Sequence, residues 1–156
     1  MKKFCIAMIM MISMVMIAAC GKNNSKEVSA DPAALAKQLA EETVSSDTLS
    51  EINTDIMAST YFVDTEKIDS SSAYLSTGAS ACEATVIKCK DSSYVSEVET
   101  LFKNRVTSQT DLFSSYNAGE TKKLQNAIIK TSGNYVVLCI CDDTSKAEEI
   151  LKEAGF

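Results

Sequence analysis

An α+β two-layer sandwich is the fold class this sequence predicts: a mainly antiparallel four-stranded sheet of two hairpins, covered by helices, with two more helices at the N-terminal end. Three observations predict it. Residues 94–116, YVSEVETLFKNRVTSQTDLFSSY, repeat apolar side chains at the helical period. Two strand-like runs are each broken by a glycine-led pair, Gly78-Ala79 and Gly133-Asn134, as in tight hairpins. A capping pattern at Ser145 and Glu148 then opens an amphipathic C-terminal segment. Antiparallel hairpins with helices placed to cover one face give this class.

The chain opens MKKFCIAMIMMISMVMIAAC. Lys2 and Lys3 form a positive region, and the apolar run from Phe4 to Ile17 is shorter than the roughly 20 residues of a membrane span. Ile17, Ala18 and Ala19 before Cys20 match a lipobox, in which the cysteine thiol is acylated and becomes the first mature residue. Residues 1–19 therefore read as a lipoprotein signal peptide, and 20–29 as the lipidated cysteine and a polar tether. More than one acyl chain makes such attachment stable. Residues 30–156 read as a single α+β domain, long enough for one core.

Asp31 as cap and Pro32 at the first helical position start a helix over 32–44, with Leu35, Ala36, Leu39, Ala40 and Val44 on one face. Leu49, Ile52 and Ile56 suggest a second, shorter helix ending near Tyr61. Residues 70–90 change to the period of a strand. A two-residue loop at Gly78-Ala79 would place Ala73, Leu75, Cys82, Ala84 and Val86 on one face and Tyr74, Glu83, Thr85, Ile87 and Cys89 on the other. Asp91 or Ser92 caps the long helix, whose apolar stripe is Val98, Phe102, Leu112 and Tyr116, and Asn117-Ala118-Gly119 closes it. In the second hairpin, pairing Ser132 with Tyr135 puts Ala127, Ile129, Val136, Leu138 and Ile140 on the core face. Ile128, Lys130, Tyr135, Val137, Cys139 and Cys141 fall on a partly exposed reverse face. Ala147, Ile150, Leu151 and Ala154 give the last helix its apolar side.

Composition excludes several function classes. The chain has no histidine and no cysteines at zinc-finger spacing, which removes the usual general base and the commonest metal ligand, so no metal site and no cofactor are expected. Loss of residues 1–19 removes Lys2 and Lys3 and no acid, so 15 basic side chains fall to 13 against 21 acidic ones, a formal charge of −8. Nucleic acid is a poor partner for so acidic a domain, and membrane attachment falls to the lipid on Cys20.

Two features remain to be explained. Cys89, Cys139 and Cys141 have parities that place them on one side of the sheet, so a disulfide of Cys89 with one of the other two is expected in an exported domain; reduced, buried thiols are the competing reading. Arg105, the sole arginine, lies in the middle of the long helix's buried stripe, with Gln109 one turn on. A buried guanidinium needs a carboxylate, and Glu83, Asp55, Asp64 and Asp142 are the candidates, with sheet parity weighing against Glu83. The arginine is either a structural staple, the favoured reading, or, with Gln109 and Tyr116, the floor of a site for an anionic group.

Tyr61, the segment ACEATVIKCKD, Arg105 followed by Gln109, Tyr116, and NAIIKTSGNYVVLCICDD together resemble an uncharacterised family of Firmicutes lipoproteins whose C-terminal module is a domain of unknown function. The likeness spans about residues 32–156 and is strongest from Cys82 on. It maps an acidic strand residue, a helical arginine and glutamine, and a closing tyrosine onto Glu83, Arg105, Gln109 and Tyr116. The cysteines depart from that pattern. The resemblance implies location and fold and assigns no activity. A lipid-anchored extracytoplasmic module on the outer face of the cytoplasmic membrane, non-enzymatic and binding an envelope protein or a small anionic ligand, is the expected function. A small carboxylate-dependent hydrolase using Glu83 and Asp142, or a solute-capture accessory of a transporter, is the alternative.

Overall fold

A computed structural model describes residues 28–156 apart from residue 79. The expected signal peptide, the expected lipidation site Cys20 and most of the expected tether lie outside the described residues. Val28, expected in the tether, is buried in the core.

Asp31 caps α1 (Pro32–Thr43) by accepting from the amides of Ala33 and Ala34, as its position before Pro32 predicts. The expected second helix is instead a strand followed by a short helix, β1 (Leu49–Ile52) and α2 (Thr54–Tyr61). Leu49 and Ile52 are three residues apart, a spacing that suits a helix face. They pair in an edge strand all the same, and Asn53 caps a new helix by accepting from the Ile56 amide. β2 (Ile68–Ser76) and β3 (Glu83–Cys89) follow. The long helix α3 (Val95–Ser114) comes next, then a helix not expected from the sequence, α4 (Ala118–Gln125). β4 (Ile128–Ser132), β5 (Tyr135–Ile140) and α5 (Thr144–Ala154) complete the order. Asp143, and not Ser145, caps α5, accepting from the Lys146 amide.

The sheet has five strands, not four, in the order β1-β2-β3-β5-β4, with every neighbouring pair antiparallel. It is covered on both faces. α1 and α5 bury Ala84, Val86, Val137 and Cys139, while α2, α3 and α4 cover Ile87, Val136, Leu138 and Ile140. The two-layer expectation is therefore corrected to three layers, and the supposed reverse face of β5 is as buried as its front. Each fully buried aliphatic side chain contributes about 1.5–3 kcal/mol, so two apolar faces are the main source of stability.

The second hairpin has the expected register, Ser132 opposite Tyr135, with Gly133 at φ 54 where a type II′ turn requires a left-handed residue. The first does not. Leu75 pairs with Glu83, and the connection is longer than two residues because Glu120 accepts from Ser80 Oγ and the Ala81 amide and holds the loop open. That one-residue slip turns β2 over: Ala73 joins Thr85, Ile87 and Cys89 on the α3 face, and Tyr74 joins Ala84 on the α1 face.

The β3–β5 pairing sets Ile87 against Val136, so Cys89 shares the α3 face while Cys139 and Cys141 lie on the α1 face. A sheet separates Cys89 from both. The four described cysteines are free thiols, and the bridge expected at Cys89 is not formed.

Candidate functional site

α3 lays Val98, Phe102, Arg105, Gln109 and Phe113 toward the sheet at spacings of three and four residues. Val98, Phe102 and Phe113 are buried, whereas Leu112 and Tyr116, expected on the buried stripe, are exposed. The cause is length. Glu83 and Ile140 end the central strands beneath the middle of the helix, so its C-terminal turn overhangs the sheet and only Phe113, turned toward α4, finds cover.

Arg105 meets Glu83 at that end of the sheet. Its Nη2 donates to Glu83 Oε2 at 2.9 Å and its Nε to the same oxygen at 3.3 Å. The parity argument against Glu83 fails because the face it shares with Thr85 and Ile87 is the one under α3. The carboxylate is 3% exposed and the guanidinium 22%. Burial pushes the Glu83 carboxyl above the usual carboxylate range, and Arg105 opposes that rise.

Tyr61 supports the pair from below. Its ring lies 5.9 Å from the Arg105 guanidinium carbon and 5.2 Å edge-on from Phe102, and its hydroxyl shares a 2.6 Å hydrogen bond with Thr85 Oγ1. Burial pushes the Tyr61 phenol well above its ordinary value, so it stays protonated.

Above the guanidinium is an open pocket of about 190 Å³, walled by the β2–β3 loop and by Glu83, Arg105, Gln109, Leu112 and Tyr116. All four residues singled out in the sequence, Glu83, Arg105, Gln109 and Tyr116, thus come together against the β2–β3 loop. Glu83 occupies donors on Nε and Nη2, and among the described residues no hydrogen bond engages Arg105 Nη1. A guanidinium has five N–H donors, so three remain for another partner.

A second polar cluster adjoins this wall. Asp142 Oδ2 accepts from the amides of Ser45 and Ser46, each at 2.7 Å, and Oδ1 takes Lys123 Nζ at 2.8 Å. Lys123 also bridges to Glu120 at 2.9 Å and reaches Cys82 Sγ at 3.6 Å. Burial works to raise the Asp142 carboxyl, but the bonds from Lys123 and the two amides outweigh it and hold it well below the usual range. Asp142 therefore pairs with Lys123, not Arg105, and Asp55 and Asp64 take no part. Lys123 went unnoticed in the sequence because AGETKKLQ offers Leu124 alone as a buried residue, and eight polar-rich residues lack a helical stripe.

Among the described residues there is no group of three or more metal-ligating side chains, and no helix is long and apolar enough to cross a membrane. A protein-family model, a domain of unknown function (DUF4358), matches residues 42–141, which include every residue of the Arg105 pocket. No curated protein and no solved structure matches the chain.

Proposed function

The chain belongs to the DUF4358 family, and on that footing we propose that it is a non-catalytic binding module whose Arg105 pocket takes the anionic group of a small ligand. Cys20, acylated, holds the module at the outer face of the cytoplasmic membrane. The observation that carries this reading is the division of labour at Arg105. Buried Glu83 orients the guanidinium and uses only part of its donor set, while the free edge opens into a pocket beside Gln109 and Tyr116. Planar, bidentate recognition of a carboxylate or phosphate is what such a braced arginine does well. Leu112 and Tyr116, 54% and 60% exposed, offer an apolar shelf for the body that carries the anion. The two acids that hydrolysis would need are each tied to a cation, Glu83 to Arg105 and Asp142 to Lys123, which supports binding without chemistry.

Thermal shift of the full-length chain against small carboxylates, phosphates and cell-wall fragments tests the pocket. At least one anionic probe should raise the melting temperature, and Gln109→Ala and Tyr116→Ala should each diminish that shift. No shift with any probe would overturn the small-ligand reading and leave a protein partner in the envelope. For the anchor, incorporation of labelled palmitate should disappear in Cys20→Ala; labelling unchanged by that substitution would refute acylation there.

A further inference from the structure

Three of the four described cysteines lie on the α1 face at one end of the sheet: Cys82, Cys139 and Cys141, all buried. We propose that Cys82 and Cys141 are a cross-strand disulfide pair, the site of a two-electron oxidation that ties the start of β3 to the end of β5. The pairing is independent of what the Arg105 pocket binds.

The register selects these two. Glu83 stands opposite Ile140 and Ala84 opposite Cys139, so one step beyond the ladder Cys82 faces Cys141. Hydrogen-bond parity then fixes the kind of pair. The N–H and C=O of one residue in an antiparallel strand point to the same neighbour. Cys82 turns its carbonyl to β2, where it accepts from the Ser76 amide, and its own amide donates to Ser80 Oγ. At the far end of the same strand, Cys89 donates to Asn134 O on the β5 side. Odd-numbered residues of β3 thus bond to β5 and even-numbered ones do not. Continued one step past the last paired residues, this alternation makes Cys82 and Cys141 a non-hydrogen-bonded pair, a kind whose Cα atoms are typically about 4.5 Å apart with side chains at closest approach. That is within the span of a disulfide.

Competing pairs are less well placed. Cys139 faces Ala84 and shares a 3.9 Å contact with Thr43 Oγ1, so it is only diagonal to Cys82. Cys139 and Cys141 bring their thiols within hydrogen-bond reach, but they are two residues apart along one extended segment, about 6.7 Å between Cα atoms, at the far limit of what a disulfide spans. Cys89 is across the sheet. Among the three thiols Cys141 is the better attacker, because a hydrogen bond from Cys139 draws it below the usual thiol range, whereas burial raises Cys82.

The oxidant is a small disulfide, RSSR, met while this end of the sheet is still open during folding. The Cys141 thiolate attacks one sulfur and expels RS⁻, leaving Cys141 in a mixed disulfide. Cys82, giving up its proton, then attacks Cys141 Sγ and expels the second RS⁻. Two thiols and one RSSR become one bridge and two RSH. The bridge would fasten the pocket wall that Cys82 shares with Glu83 and would enclose α3, α4 and β4 in one covalent loop.

The full-length chain, refolded with oxidised glutathione, unfolded and alkylated without reductant, then digested with trypsin, gives a direct readout. Cys82 falls in residues 68–88, Cys89 in residues 89–90, and Cys139 with Cys141 in residues 131–146. A linked 68–88 and 131–146 pair is expected, retained in Cys139→Ser and lost in Cys141→Ser. The oxidised wild type should melt roughly 10 °C above its reduced form. A bridge within 131–146, a link to any other cysteine, loss of the link in Cys139→Ser, or alkylation of both Cys82 and Cys141 would each overturn the proposal.

Discussion

Arg105 Nη2 stands 2.9 Å from Glu83 Oε2, which joins the chain's sole arginine to a carboxylate 3% exposed at the end of the central strand. Breaking such a pair from one side leaves an uncompensated charge. Glu83→Ala should cost about 2–4 kcal/mol in urea unfolding, toward the low end because Arg105 still reaches solvent. Replacing both by leucine should recover most of that loss, since apolar groups of similar volume satisfy the site without desolvating ions. A double variant no more stable than Glu83→Ala would show that the pair contributes more than mutual neutralisation.

Asp142 gives a pH signature. Its folded carboxyl titrates well below the usual range, so its contribution is complete above the unfolded value near 3.9 and is lost as pH falls through the folded one. Asp142→Asn should cost about 2–3 kcal/mol at neutral pH, and the gap from wild type should stay level from about pH 5 to 8 and narrow below about pH 4. Glu83 has the opposite sign: its folded value is raised, so its contribution is present at low pH and is lost as pH rises through that value. Comparing Asp142→Asn with wild type cancels that contribution. A gap that widens in acid would contradict the assignment.

The Tyr61 hydroxyl and Thr85 Oγ1, both buried, have each other as partner at 2.6 Å. Tyr61→Phe should cost about 1–2 kcal/mol because Thr85 is left without water or acceptor. Thr85→Val alone should cost about the same, while the double variant should fall short of the sum. Strict additivity in denaturant melts would mean that the two hydroxyls do not depend on each other.

What could be read in the sequence follows what periodicity can carry. α1, α3, α5 and the second hairpin have strong local signals, and Asp31-Pro32 and Gly133-Asn134 stand where the structure uses them. β1 is not legible because Leu49 and Ile52, three apart, mimic a helix face, whereas in the four-residue edge strand they point to opposite sides of the sheet. The third layer was lost because Tyr135–Ile140, six buried residues in a row, has no alternation to say whether the reverse side is wet. The Arg105 cluster was visible as a charge on an apolar stripe. Its partner is not, since β3 is buried on both faces and only its pairing with β5, Glu83 opposite Ile140, says which face lies under α3.

Phe62 closes α2 in the left-handed region, at φ 59 and ψ 32, with its amide bonded to Ala58 O and its side chain 81% exposed. A phenylalanine gains nothing there from burial and bears the steric cost of a positive φ, which glycine escapes. Glycine in turn loses more freedom on folding, so the two effects partly cancel. Phe62→Gly should therefore stabilise by about 0.5–1 kcal/mol, and Phe62→Ala, which keeps the Cβ and removes only an exposed ring, should change stability by less than about 0.5 kcal/mol. Paired melts of the two variants separate backbone from ring. A loss in both would mean that the exposed ring has a contact to lose, and a gain in both would point to the ring itself as the destabilising element instead of the backbone.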